Sequence, residues 1–108
     1  MSDLPQIHAE DLKQRLDAND DIFVLDVREP DEYRAGNIGG YLIPLNDLPK
    51  RLGELDPGRE TVVHCRSGVR SAKAVEFLCA QGFHNVKNLV GGILAWAEKV
   101  DPRLKGRV

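Results

Sequence analysis

The chain has 108 residues, 42% of them hydrophobic and 30% charged, the proportions of one ordinary globular domain; these argue against a two-domain enzyme with an interdomain cleft, a disordered segment or a membrane span. The formal net charge of −2 provides no global basic field to hold a nucleic acid or an anionic membrane, so any attraction for anions must be local. The start MSDLPQIHAEDL has no basic segment followed by an apolar run, so no secretory signal is visible and the expected location is the cytoplasm, unless a signal has been cut away.

In chain order, residues 9–16 place Leu12 and Leu16 four apart with charges between them, which predicts a short amphipathic helix ending before the turn-prone Asn19, Asp20 and Asp21. Residues 22–27 (IFVLDV) are a nearly unbroken β-prone run, as in a strand covered on both faces. Pro30 then opens a short helix with acidic residues in its first turn, and Gly36, Gly39 and Gly40 break it. Residues 41–43 predict a short strand stopped by Pro44, and residues 45–55 are weakly helical with Pro49 near a helix start. After a turn at residues 56–58, residues 61–64 (TVVH) predict a second central strand leading into Cys65. A helix is expected over residues 71–81, stopped by Gly82, then a strand over 85–90, a tight bend at Gly91 and Gly92, and a closing helix over 93–100 with Trp96 on its apolar side. No repeat or linker interrupts this order, so one domain is expected over residues 1–108. Strands alternating with helices pair in parallel through right-handed crossovers. The predicted fold is therefore an α/β, three-layer sheet with its ligand site beyond the carboxyl ends of the strands.

Cys65 stands at one such strand end. The two cysteines, Cys65 and Cys79, are too few for a disulfide scaffold and have no C-x-x-C spacing, so each is judged by its surroundings. In His64-Cys65-Arg66-Ser67-Gly68-Val69-Arg70-Ser71, Gly68 and the small Ser67 let the backbone curl, turning its N–H groups inward as an anion nest. Those dipoles, with Arg66 and Arg70 nearby, should lower the thiol from about 8.5 toward the roughly 3.5–7.5 of activated cysteines and make Cys65 a nucleophile. The competing reading is a merely buried cysteine.

The chain resembles the rhodanese-like sulfurtransferase family over nearly its whole length. The resemblance rests on Leu25-Asp26-Val27-Arg28-Glu29 with Glu32-Tyr33, on Gly36-Asn37-Ile38 with Ile43-Pro44-Leu45, on the Cys65-to-Ser71 loop, and on Leu89-Val90-Gly91-Gly92 with Trp96. It implies an α/β domain around a parallel five-stranded sheet. Its cysteine would take sulfane sulfur from a donor such as thiosulfate, become a persulfide, and pass the outer sulfur to cyanide or a thiol. Two departures, Asn37 in place of the family's usual His and Gly39-Gly40 in place of Pro-Gly, concern the rim of the site more than its chemistry. Cysteine phosphatases and arsenate reductases resemble the same segment. Only four residues separate Cys65 from Arg70, however, one fewer than those enzymes use, which tightens the ring around a terminal sulfur and cramps a phosphoryl group. A phosphatase would also usually need a carboxylic general acid, for which Asp26 and Asp31 are candidates only by lying near other strand ends.

The expected site is thus Cys65 as nucleophile, with Arg66, Ser67, Gly68, Val69, Arg70 and Ser71 binding the anion. Arg70 and Arg66 would hold the sulfonate or the persulfide, while Ser71 is read as a helix cap and Ser67 as a cap or a donor. Asp26 with Arg28 is read as a structural pair, and His64 should point to the opposite face from Cys65 and so not serve as its base. His8 and His84 are read as cap or surface residues, Cys79 as core and Trp96 as core or pocket wall. The Gly91-Gly92 turn would let the last helix pack close. No metal or organic cofactor is expected. Expected partners are a small sulfur donor and a thiol or cyanide acceptor, with a sulfur-relay protein docked over the loop as the alternative; a silent regulatory domain is disfavoured by the intact loop.

Overall fold

The computed structural model describes residues 4–108. Five parallel strands form one sheet in the order β1-β5-β4-β2-β3: β1 Gln6–Ile7, β2 Phe23–Asp26, β3 Tyr41–Leu42, β4 Thr61–His64 and β5 Val86–Leu89. Four helices accompany them, α1 Ala9–Asp17, α2 Pro30–Ala35, α3 Val69–Ala80 and α4 Gly92–Lys99. The three-layer parallel α/β architecture expected from the sequence is the one observed.

Right-handed crossovers decide which face each connection covers. The links β3 to β4 and β4 to β5 both move toward the β1 edge and lie on one face, where Val63, Cys65, Leu25 and Val27 pack with Leu48 and with Ala74, Val75 and Leu78 of α3. The links β1 to β2 and β2 to β3 move the other way. On that second face Val62 and Leu89 pack with Leu12 of α1 and with Ile93, Trp96 and Ala97 of α4. Side-chain alternation along β4 puts Val63 and Cys65 on the first face and Val62 on the second, so His64 also belongs to the second.

Three local features differ from the expectation. Strand β1 has only two residues and no readable alternation; it forms because Asn88 donates its N–H to Pro5 and Val90 to Ile7, both at 2.9 Å. Residues 45–55 do not make a helix: two 3-10 turns, Leu45–Asp47 and Leu52–Glu54, flank Pro49, which lies between them rather than at a helix start. The helix-like spacing of Leu45, Leu48, Leu52 and Leu55 is real, but it serves to dock this irregular segment on the first core. Helix α3 begins at Val69, two residues before the expected start, because its cap Gly68 takes φ 110° and turns the chain directly into the first turn.

The carboxyl end of β2 is locked by a buried ion pair, as its sequence pattern suggested. Arg28 Nη2 donates to Asp26 Oδ2 at 2.7 Å and to the Gly36 carbonyl at 2.9 Å, and Nη1 donates to the Glu32 carbonyl at 3.2 Å. Arg28 thereby ties the end of β2 to the first turn and the C-terminal cap of α2 while only 1% exposed. Replacing Arg28 by Met leaves the Asp26 carboxylate buried without its counter-charge; urea unfolding should show a loss of about 3–5 kcal/mol, and a loss below about 1 kcal/mol would show that the pair does not hold this end of the sheet.

Candidate active site

The sheet order reverses between β2 and β4. Their outgoing connections diverge to opposite faces and leave a crevice beyond the paired ends Asp26 and His64. Cys65 is the first residue after β4 and lies buried at the base of this place. Its Sγ accepts from the backbone N–H of Gly68 at 3.1 Å and of Ser71 at 3.4 Å, and lies 3.4 Å from Ser71 Oγ. The carbonyls of the loop face away: Cys65 O accepts from the Ile93 N–H at 2.9 Å and Arg66 O from the Leu94 N–H at 3.1 Å, both at the start of α4. This approach requires Gly92. A Cβ there would lie 2.4 Å from Arg66 O and 2.6 Å from Cys65 O, and its φ is +59°. The Gly91-Gly92 turn packs the last helix close, as expected, and the loop is its target.

Burial pushes the Cys65 thiol up, but hydrogen bonds from the Ser71 hydroxyl and from the backbone N–H groups of Ser71, Gly68 and Ser67 together hold it below its ordinary value. The lowering expected from the anion nest is therefore present in direction, its main source the hydrogen bonds, with a coulombic attraction between Arg70 and Cys65 beside them. Arg70 is turned to Glu32 in a two-pronged ion pair, Nη1 to Oε1 at 2.7 Å and Nη2 to Oε2 at 2.9 Å, which holds the Glu32 carboxyl at about 2. The pair spans the crevice, joining α2 to the first turn of α3. Arg66 and Ser67 are exposed on the rim, and Val69, 66% exposed, projects its apolar side chain outward.

Ser71 is not the helix cap it was read as; that place is held by Gly68. Fully buried, Ser71 has one hydroxyl proton and two acceptors within reach: it donates to Asn88 Oδ1 at 2.6 Å while Cys65 is a thiol, and must turn to Sγ, 3.4 Å away, to support the thiolate, while Asn88 Nδ2 donates to the Gly68 carbonyl at 3.2 Å. The sequence reading missed both Asn88 and Glu32. A polar residue in the buried strand β5 was the signal for the first, whereas Glu32 looked like one more acid in a helix's first turn.

His64 is fully buried on the other face, its Nδ1 3.3 Å from the Cys65 carbonyl oxygen and its Nε2 3.5 Å from Asp26 Oδ2. Burial holds it below its usual value despite the neighbouring carboxylate. Cys79 corrects an expectation: it is exposed on α3, because the helix turns Val75 and Leu78 inward and that position outward. Trp96 is buried in the second core, and His8 and His84 lie exposed. Asn37 lies away from the cysteine, bonding Tyr33 O and the Gly39 N–H in an opening shared with Trp96 and Lys13. Among the described residues, no group of three or more His, Cys, Asp or Glu side chains is gathered as metal ligands, and no helix is long and apolar enough to cross a membrane.

Residues 8–99 match the rhodanese-like domain family. The chain is 42% identical over 93 residues to a protein of Allochromatium vinosum named sulfurtransferase, covering 85% of this chain and 87% of that one. Among solved structures it resembles a rhodanese-related protein of Thermoplasma volcanium, with a TM-score of 0.81 and 37% identity over 89% of this chain and 93% of that one. It also resembles part of a thiosulfate sulfurtransferase of Pseudomonas aeruginosa, with a TM-score of 0.79 and 31% identity over 88% of this chain and 19% of that one.

The donor set makes a direct forecast for the thiol. Thiolate absorbance, taken as the difference between the wild type and Cys65→Ser, should titrate below the roughly 8.5 of a free cysteine. Ser71→Ala removes a donor to the charged form and should move the midpoint up, so Cys65 would need a higher pH to ionise. A midpoint unmoved by the substitution would show that the hydroxyl does not support the thiolate.

Proposed function

The chain belongs to the rhodanese-like family of sulfurtransferases and sulfur carriers, and on that premise we propose that it works as a single domain, moving sulfane sulfur through a persulfide on Cys65. The Cys65 thiolate attacks the outer sulfur of thiosulfate. The donor's S–S bond breaks, sulfite leaves with the bonding pair, and a Cys65 persulfide forms. Cyanide or an acceptor thiolate then attacks the terminal sulfur, leaving as thiocyanate or as a persulfide, and Cys65 regains its electron pair as thiolate. Neither step needs an outside oxidant or reductant, nor a metal or organic cofactor.

The observation that carries this reading is the convergence of backbone N–H groups and the Ser71 hydroxyl on Cys65 Sγ. The same donors can stabilise a charged terminal sulfur one bond further out. Ser67, Gly68 and Ser71 would supply the cradle, Val69 its outer lip, and Arg66 the charge at the rim. Arg70 would contribute through its pair with Glu32, holding α2 against the loop. Phosphatase or arsenate-reductase chemistry is the weaker reading, since only four residues separate Cys65 from Arg70 and that arginine is engaged by a carboxylate.

Incubation with thiosulfate should add one sulfur, about 32 Da, to the peptide holding Cys65, and dithiothreitol should remove it. Mass spectrometry that finds the sulfur on the exposed Cys79 instead, or none at all, rejects the persulfide assignment.

A further inference from the structure

A cleft of about 230 Å³ opens beside the cysteine loop, bounded by Arg66 of the loop, Asp31 and Glu32 of α2, and Arg107 of the C-terminal segment. Arg107 lies outside the residues matched to the family, which end at 99. Its place is fixed by packing. Leu104 is buried in the second core, the Arg107 N–H donates to the Leu104 carbonyl at 3.0 Å, and the segment rests on Gly36, where a Cβ would lie 3.3 Å from Arg107 Cβ and 3.1 Å from Val108 Cγ1. Gly36 is also the residue whose carbonyl Arg28 grips, so the segment is seated on the most firmly held part of the crevice wall.

The charges around this cleft are unevenly satisfied. Arg28, also in its wall, is taken by Asp26 and two carbonyls, and Glu32 is taken by Arg70. Neither the Arg66 nor the Arg107 side chain makes an ion pair or hydrogen bond with a described residue. Asp31 is the one side-chain carboxylate of the wall left without an ion-pair partner. The wall thus holds two guanidinium groups without partners, with the Asp31 carboxylate and that of the last residue, Val108, also on it, in a chain whose overall charge is negative. Guanidinium forks suit the oxygens of a small oxyanion.

Resting on the sulfurtransferase reading, we propose that Arg107 is a substrate-binding residue, gripping with Arg66 the sulfonate end of a small dianionic donor such as thiosulfate while its outer sulfur enters the Cys65 loop. The C-terminal segment then sets donor preference, favouring a dianion over a singly charged organic thiosulfonate, which keeps a transferable sulfur but carries less charge for the two arginines.

The test uses the full chain. Thiosulfate binding to Cys65→Ser, measured by calorimetry at low ionic strength, should weaken about three- to tenfold on adding Arg107→Ala, and Lys at that position should restore part of it. In the enzyme with Cys65 intact, Arg107→Ala should raise KM for thiosulfate by a similar factor with kcat nearly unchanged, and should raise it less for methanethiosulfonate. Arg103→Ala, on the same segment but paired with Asp101, should alter neither. Unchanged binding in the Arg107→Ala variant, or an equal loss in Arg103→Ala, overturns the proposal. Arg107-dependent binding in a protein that never acquires sulfur on Cys65 would sustain the anion site and reject the sulfurtransferase reading instead.

Discussion

The cysteine loop depends on one close backbone approach. Helix α4 begins against the loop carbonyls, and its otherwise unpartnered Ile93 and Leu94 N–H groups take the oxygens of Cys65 and Arg66. With those peptide units oriented, the N–H groups of the following residues can face Sγ. Gly92 permits it, since any Cβ would drive into the carbonyls it must pass. One contact thus satisfies the start of a helix, closes the second core around Ile93 and Trp96, and sets the donors of the site. Opening it would cost stability and chemistry together.

A second support comes from beneath the sheet end. The two strands that meet at the crevice, β2 and β4, present Asp26 and His64 on the face opposite the thiol, and Arg28 clamps Asp26 to the chain around α2. Above them, the pair between Glu32 and Arg70 closes the crevice from the other side. This upper pair is half-exposed and screened by water, so its worth lies in geometry more than in stability. The lower pair is buried and removing one partner strands a charge. Position, not chemistry, makes one ion pair structural and the other adjustable.

How far the sequence disclosed all this follows from the range of the forces involved. Buried strands and amphipathic helices write their period into the chain, so residues 22–27, 61–64 and 9–16 were readable, and the thiol loop was readable because a cysteine, a glycine and two arginines share a few positions. Strand β1 was hidden, being two residues long and held by a partner more than eighty residues away. The 3-10 turns around Pro49 were misread because their leucines keep helical spacing without a helix. Ser71 was read locally, as a cap; its real neighbours, Cys65 and Asn88, come from two other elements. Arg70 was read as facing the anion, and only the folded chain brings Glu32 across to meet it.

The two cysteines separate access from activation. Cys79 is exposed on α3, yet no described residue donates a hydrogen bond to its sulfur. Cys65 is 1% exposed and is surrounded by donors. Burial alone would keep a thiol protonated and inert; here the donors outweigh it, so the price of enclosure is met by the same groups that define the enclosure. A sulfur so deeply placed admits only a reagent that presents a narrow electrophilic end along one axis. A divalent sulfur carried on a compact oxyanion has that shape, and in the proposed reaction its charged end would stay outside, where Arg66 and the C-terminal segment stand. On the proposed function, selectivity would therefore arise from depth as much as from charge: the loop would decide which atom can react, and the rim which molecule can offer it.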